Sequence, residues 1–161
     1  MNKESINSNQ QMIKIKCLDD QIVEVPLNIA KIIPTINETI NSVEMAEGDV
    51  FNDQLPLPVD IVILQSVVKY CDYHQRNPNI YEQKMNNSNP RDPIYMVEWD
   101  ETFMNTLMDK KTHHKNLLKL YEASQYLNVI ILRKLVAKQL AKIIYEAADP
   151  DAVREEFGLA E

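Results

Sequence analysis

A chain of 161 residues with 45% apolar and 25% charged side chains has the length for one domain with a real core and the composition of an ordinary globular protein. It has neither a charged start followed by an apolar stretch nor an apolar run of about 18 residues, so no secretory leader or membrane span is expected. The net charge of −7 is concentrated early: residues 1–60 hold ten Asp/Glu against four Lys/Arg, an acidic third that repels phosphate backbones and argues against nucleic acid as a partner.

In chain order, the polar residues 1–11 are expected to be disordered. Ile13, Ile15 and Cys17 alternate with Lys14 and Lys16, Asp19-Asp20 supplies a turn, and Ile22, Val23 and Val25 return, which reads as a β-hairpin. A short helix from Leu27 to Ile33 ends at Pro34, and Thr35 can cap another through Ile40. Residues 41–54 read as an acidic loop. Leu55 to Pro58, "LPLP", is extended, because each proline pushes its predecessor out of the helical region. Asp60 caps a helix from Ile61 to about Arg76, with Ile61, Leu64, Val67, Val68 and Cys71 on one face. Residues 77–98, rich in Asn and Pro, read as a flexible loop. Asp100 is expected to cap a helix around Thr102 to Met108, and another runs from Lys115 to Tyr126. Asn128 should cap a long one, and Asp149-Pro150 opens the last, with Val153 and Phe157 at i, i+4.

The long helix has more apolar surface than a core needs. At about 100° per residue, Val129, Leu132, Val136, Leu140, Ile143 and Ile144 form one stripe. Ile130, Ala137 and Ala141 widen it, while Lys134, Lys138 and Lys142 read as the solvated back. No catalytic or cofactor signature accompanies it. Gly48 and Gly158 are the only glycines, too few for a phosphate-cradling loop. His113-His114 diverge by about 100° on a helix, do not make a metal pair, and read as surface-loop residues. Asp19-Asp20 and Glu155-Glu156 read as turn and helix-solvation residues, Trp99 as a core residue, and Cys17 and Cys71 as reduced, buried thiols. No metal or cofactor is expected. Surplus apolar surface without chemistry points to an interaction protein.

Five stretches resemble the S-phase-kinase-associated (Skp) adaptor family in register. They are "IKIKCLDDQIVEVPLNIAKI", "LPLPVDIVILQSVVKYCDYHQRNP" (with Tyr70 where tryptophan is usual), "VEWDETF", "LYEASQYLNVIILRKLVAKQLAKII" and "DPDAVREEFGL". The resemblance implies an α/β BTB/POZ fold, a small sheet flanked by helices over residues 12–127, followed by F-box-binding helices over 128–161. It implies a non-enzymatic adaptor of a Skp–cullin–F-box ubiquitin ligase, cytoplasmic and nuclear, that joins a cullin scaffold to F-box proteins. An elongin-C-like or other BTB-type interaction domain is the alternative.

By the same resemblance, Gln125 and Tyr126 face the cullin, with Gln125 where the family has asparagine. Val129, Leu132, Val136, Leu140, Ile143, Val153 and Phe157 face the F-box. With that face uncovered, the free chain should be sticky, forming a weak homodimer, or else be disordered in its last helices. In protist members the proline opening the last helix is hydroxylated and glycosylated, which makes Pro150 a candidate modification site, although helix initiation alone explains a proline there. Two departures stand out. The stretch between Trp99 and Leu127 is several residues longer than usual, around "MDKKTHHKN". The chain stops at Glu161, where the family adds an acidic, tryptophan-containing segment, so the F-box platform is expected to be shorter.

Overall fold

The alternation at the start of the chain places Ile13 and Ile15 on one side of a strand and Lys14 on the other. In the computed structural model, which describes residues 11–47, 54–77 and 96–159, that strand is β1 (Met12–Lys16). It pairs antiparallel with β2 (Ile22–Pro26), Ile13 opposite Val25 and Ile15 opposite Val23, with the three side chains Ile13, Ile15 and Val25 buried. The turn between them holds Asp19 and Asp20 at φ of 63° and 60°, left-handed values that Asp tolerates better than most residues. The "LPLP" stretch supplies β3 (Leu55–Pro56), which lies parallel to β1 on its other side and gives the order β2-β1-β3. A two-residue edge strand suits its proline, which has no N–H to donate.

Helices cover this sheet. Helix α1 (Leu27–Ile32) leads into α2 (Pro34–Glu47), which buries Ile36 and Ile40. The acidic loop expected from residue 41 is therefore helical as far as Glu47. Nothing between Asn41 and Glu47 breaks a helix, and the first glycine comes at 48. Helix α3 (Ile61–Arg76) starts where expected, with the Asp60 carboxylate accepting from the Val62 N–H at 3.0 Å. The expected disorder of residues 1–11 falls, but for Gln11, outside the described residues, as does nearly all of the expected loop at 77–98.

Helix α4 (Glu98–Asn105) begins earlier than Asp100 suggested. Asp100 sits inside the first turn and reaches back to accept from the Val97 N–H at 3.2 Å, half of a capping box whose other half valine cannot provide. The residue is fully buried because it also accepts from His74 Nε2 at 2.9 Å. Around this pair, Trp99 stacks between Tyr73 (3.9 Å) and Phe103 (5.2 Å), and Tyr70 fills the place beneath. Helices α5 (Lys115–Tyr126) and α6 (Ile130–Glu146) pack against one another, and α7 (Pro150–Phe157) ends the fold. Asn128 does not cap α6. It takes φ of 58° and turns the chain between the helices, leaving Val129 as a first residue with no side-chain cap. Asp149 does cap α7, accepting from the Ala152 N–H at 2.8 Å, with Pro150 at the first position.

One apolar cluster joins the sheet, α1 to α3, α4, α5 and α6, from Ile13 to Ile143. Cys17 and Cys71 are both buried, unbridged thiols within it, and burial pushes the Cys71 thiol up to about 12.

Candidate functional site

The residues expected to form the docking stripe of α6 lie on its inward side. Leu132 and Val136 are fully buried, Val129 and Ile143 nearly so, all against the chain's own core together with Ile131 and Leu135. The reason is geometric. At 3.6 residues per turn, a helix laid on α5 must turn positions 132, 135, 136, 139 and 143 to the same side. Leu140 is half-buried at the margin. Val129, Leu132, Val136 and Ile143 thus belong to the chain's own core.

The surplus arc lies one flank further round. Ile130, Ala137, Ala141 and Ile144 fall within about 60° of each other on the wheel. All four are exposed: Ile130 is 47% and Ile144 49% accessible, and Tyr145 stands beside them at 90%. Small alanines between two isoleucines make a shallow saddle in which another helix can lie close. Lys134, Lys138 and Lys142 rim one side of it and Arg133 the other. The sequence reading places Ile130, Ala137 and Ala141 at the wide edge of the stripe and Ile144 within the stripe itself. The i, i+7, i+11, i+14 spacing was the signal that separates the two faces.

Helix α7 follows α6 and packs against it. Val153 and Phe157 are half-buried, on the same side as each other one turn apart, with Phe157 packed on the margin of the core. Pro150 is exposed at the helix start.

A second surface lies at the other end of α5. Tyr126 is 47% exposed although its backbone is tied down, its carbonyl accepting from Thr35 Oγ1 at 2.9 Å. Its ring edges a cavity of about 270 Å³ lined also by Leu18, Pro58, Val59 and Ala123, with the Lys119–Asp60 ion pair (3.7 Å) at its rim. Leu18 is itself half exposed. An aromatic over an apolar hollow with a charged rim is the usual anatomy of an interface anchor. Gln125 is exposed next to it. Leu18 and Pro58 could not be assigned to this surface from sequence, because strand pairing brings them here from distant segments.

Among the described residues no group of three or more His, Cys, Asp or Glu is placed to hold a metal. His114 departs from the surface-loop expectation. It is 1% exposed and its Nε2 donates to Glu156 Oε2 at 2.8 Å, while Lys110 Nζ lies 3.4 Å from Glu156 Oε1. These contacts, the His114 hydrogen bond first, hold the Glu156 carboxyl below its ordinary value. Glu156 is thus an ion-pair partner where solvation alone was expected.

Comparison with known proteins follows the same lines. The profile of the Skp1 family, tetramerisation domain, matches residues 11–76, which span the hairpin, β3 and α1 to α3. A Skp1-related protein of Caenorhabditis elegans is 28% identical over 160 residues, covering 98% of this chain and 85% of its own.

Proposed function

Because the chain belongs to the Skp1 family, whose adaptors are not enzymes, we propose that it is an adaptor subunit of a Skp–cullin–F-box ubiquitin ligase. In this reading it bridges a cullin and F-box proteins in ubiquitin-dependent degradation. The observation that carries it is the pair of separate apolar surfaces: the saddle of α6 with α7, and the hollow under Tyr126. A bridging protein needs two docking faces that can be filled at once, and these lie on different elements.

The F-box takes the saddle of Ile130, Ala137, Ala141 and Ile144, with Leu140, Val153 and Phe157 at its margin. Val129, Leu132, Val136 and Ile143 fix the saddle's shape from below. The cullin takes the Tyr126 hollow, with Gln125, Leu18 and Pro58. The division into a BTB/POZ-like core over 12–127 and partner-binding helices over 128–161 is functional, since the apolar core runs through both. No helix among the described residues is long and apolar enough to cross a membrane; the cytoplasmic and nuclear place of work is what the family resemblance implies. With the saddle empty, weak pairing of two copies through it is expected.

The test is affinity capture of the chain from native lysate with mass-spectrometric identification of what remains bound. A cullin together with F-box proteins is the expected result. Recovery of an elongin-type receptor, or of neither class, would overturn the assignment. Pro150 is accessible for hydroxylation and glycosylation, and a mass addition on the peptide containing it in native protein is the expected sign. An unmodified mass would leave that proline as a helix starter only.

A further inference from the structure

Helix α7 is eight residues long and buries none of them fully. An isolated helix of that length is marginal in water, because one turn's worth of hydrogen bonds does not offset nucleation. Something beyond its own sequence must hold it. Besides its packing on α6, it receives hydrogen bonds, an ion pair and a ring contact from a turn some forty residues earlier, at 109–114.

That turn grips the end of α7 at several points. His114 donates from Nε2 to one oxygen of Glu156, at 2.8 Å, and Lys110 approaches the other at 3.4 Å. His113 donates from Nδ1 to the Glu155 carbonyl at 2.9 Å, satisfying one of the carbonyls that a helix leaves open in its last turn. The His113 ring lies over Gly158, where an added Cβ would come within 2.7 Å of its Cδ2. The His114 ring meets Phe157 edge-on at 6.0 Å.

The turn is built rigidly. His113 and His114 both have φ of 53°, the left-handed region that a residue with a Cβ adopts only at a cost. Asp109 holds them there. Its carbonyl accepts from the Thr112 and His114 N–H groups at 3.2 and 2.9 Å, and its carboxylate from the Lys111 N–H at 2.9 Å. His114 is buried with no hydrogen-bond partner at Nδ1 among the described residues. A neutral ring that donates from Nε2 is the form that leaves no buried N–H unpaired. The ionisable groups of the contact are Lys110, His113 and His114 from the turn and Glu156 from α7. Arg154 is occupied elsewhere, 3.5 Å from Asp151.

We infer that the 109–114 turn is a clasp whose residues His113 and His114 position α7, through Gly158 and Glu156, before any partner binds. The inference deepens the adaptor reading, since α7 carries Val153 and Phe157. A partner that meets a helix already in place does not bear the cost of ordering it. His113 and His114 act through α7 and are positioning residues. Loosening them lowers the population of the binding-competent platform without removing any contact to the partner.

The experiment is hydrogen exchange followed by mass spectrometry on the free full chain, so it needs no partner. In the wild type, amides of 152–158 should be protected. His114→Ala, Glu156→Ala and Gly158→Ala should each speed exchange in α7 tenfold or more and leave α3 and α6 unchanged. Glu156→Gln, which still accepts from His114, should restore most of the protection. The double variant His114→Ala/Glu156→Ala should be no worse than the worse single one. Unchanged α7 exchange in these variants would overturn the clasp, as would equal loss in α3. Should His114→Ala fail to fold, Glu156→Ala and Gly158→Ala decide the matter from the α7 side. Failure of F-box capture would overturn the adaptor reading and leave this result standing.

Discussion

Helices α3 and α6 are nearly the same length, 16 and 17 residues, and each buries six side chains in the shared core. Their outward faces differ. On α3 that face carries Gln65, Lys69, Gln75 and Arg76, with Val62 its one exposed large apolar residue. On α6 it carries Ile130, Ala137, Ala141 and Ile144, with Tyr145 beside them. The core demands the same of both helices, so the inward face of α6 explains its stability. Its outward residues Ile130, Ala137, Ala141 and Ile144 take no part in that core. Large exposed apolar patches are uncommon on soluble monomers and mark places where something binds. A helix apolar on more of its circumference than its packing requires is thus read as two surfaces, one for folding and one for docking.

The first test of that division asks whether the two inward faces are equivalent. Leu64→Ala on α3 and Leu132→Ala on α6 each empty a fully buried site, so each should lower unfolding free energy by about 2–5 kcal/mol. Denaturant titration reads the loss directly. A loss below about 1 kcal/mol for Leu132→Ala would mean that α6 is an appendage and not part of the same core.

The second test takes the outward face. Ile144→Asp places a carboxylate at a half-exposed position, where stability should change by no more than about 0.5 kcal/mol. Against a docked apolar partner the same carboxylate would be buried without a counter-charge. F-box affinity should fall by roughly 30-fold or more, the range of an interface hot spot, while cullin capture persists. If binding is unaffected and the fold is intact, the saddle is not the docking surface.

These two faces were only partly separable in the sequence. The hairpin, α3, α5 and the start of α7 could be read from local signals, because alternation, Asp60, Asp149 and Pro150 act within a few residues of themselves. The excess apolar width of α6 was also legible. Which flank faces inward was not, since it depends on how α5 lies across the helix. The parallel pairing of "LPLP" with β1 and the burial of Asp100 by His74 escaped for a similar reason: each is settled by a segment distant in the chain. Asn128 misled because asparagine serves both as a cap and as a left-handed turn residue. The pair His113-His114 was read as helical or loose. Its left-handed turn and its contact with Glu156, 42 residues later, have no local signal.

The Tyr126 hollow offers a smaller effect and a control on the comparison, because its anchor Tyr126 stands on α5 and on neither α3 nor α6. Its ring is half exposed while its backbone is held by Thr35, so Tyr126→Ala removes the anchor without disturbing the fold. Cullin affinity should fall by roughly tenfold, the weakening expected when an interface aromatic worth more than about 1 kcal/mol is truncated. F-box affinity should be unchanged. A loss of both would place the two partners on one continuous surface and dissolve the bridging arrangement.

The smallest effect concerns α7, which the comparison leaves between the two cases: α6 is held by apolar burial, whereas α7 is gripped at its end by an ion pair. The Glu156 carboxyl lies below its ordinary value near 4.5, chiefly through the hydrogen bond from His114 and then through Lys110. A carboxyl depressed in the folded state stabilises that state fully above its unfolded value, and the contribution is lost as the pH falls through the folded one. The charge-dependent part of the hold on α7 should therefore be complete at neutral pH and fade in acid below 4.5, while a neutral Glu156 still accepts from His114. Apolar burial of α6 has no such dependence. Hydrogen exchange, corrected for the intrinsic effect of pH, should show α7 losing protection in that window while α6 keeps its own. Lys110 is largely exposed, so added salt should weaken the hold in the same direction. Glu156→Gln cannot titrate and should flatten the dependence on pH. If α6 and α7 lose protection together, acid is unfolding the whole chain, and the grip on α7 has no separate electrostatic part.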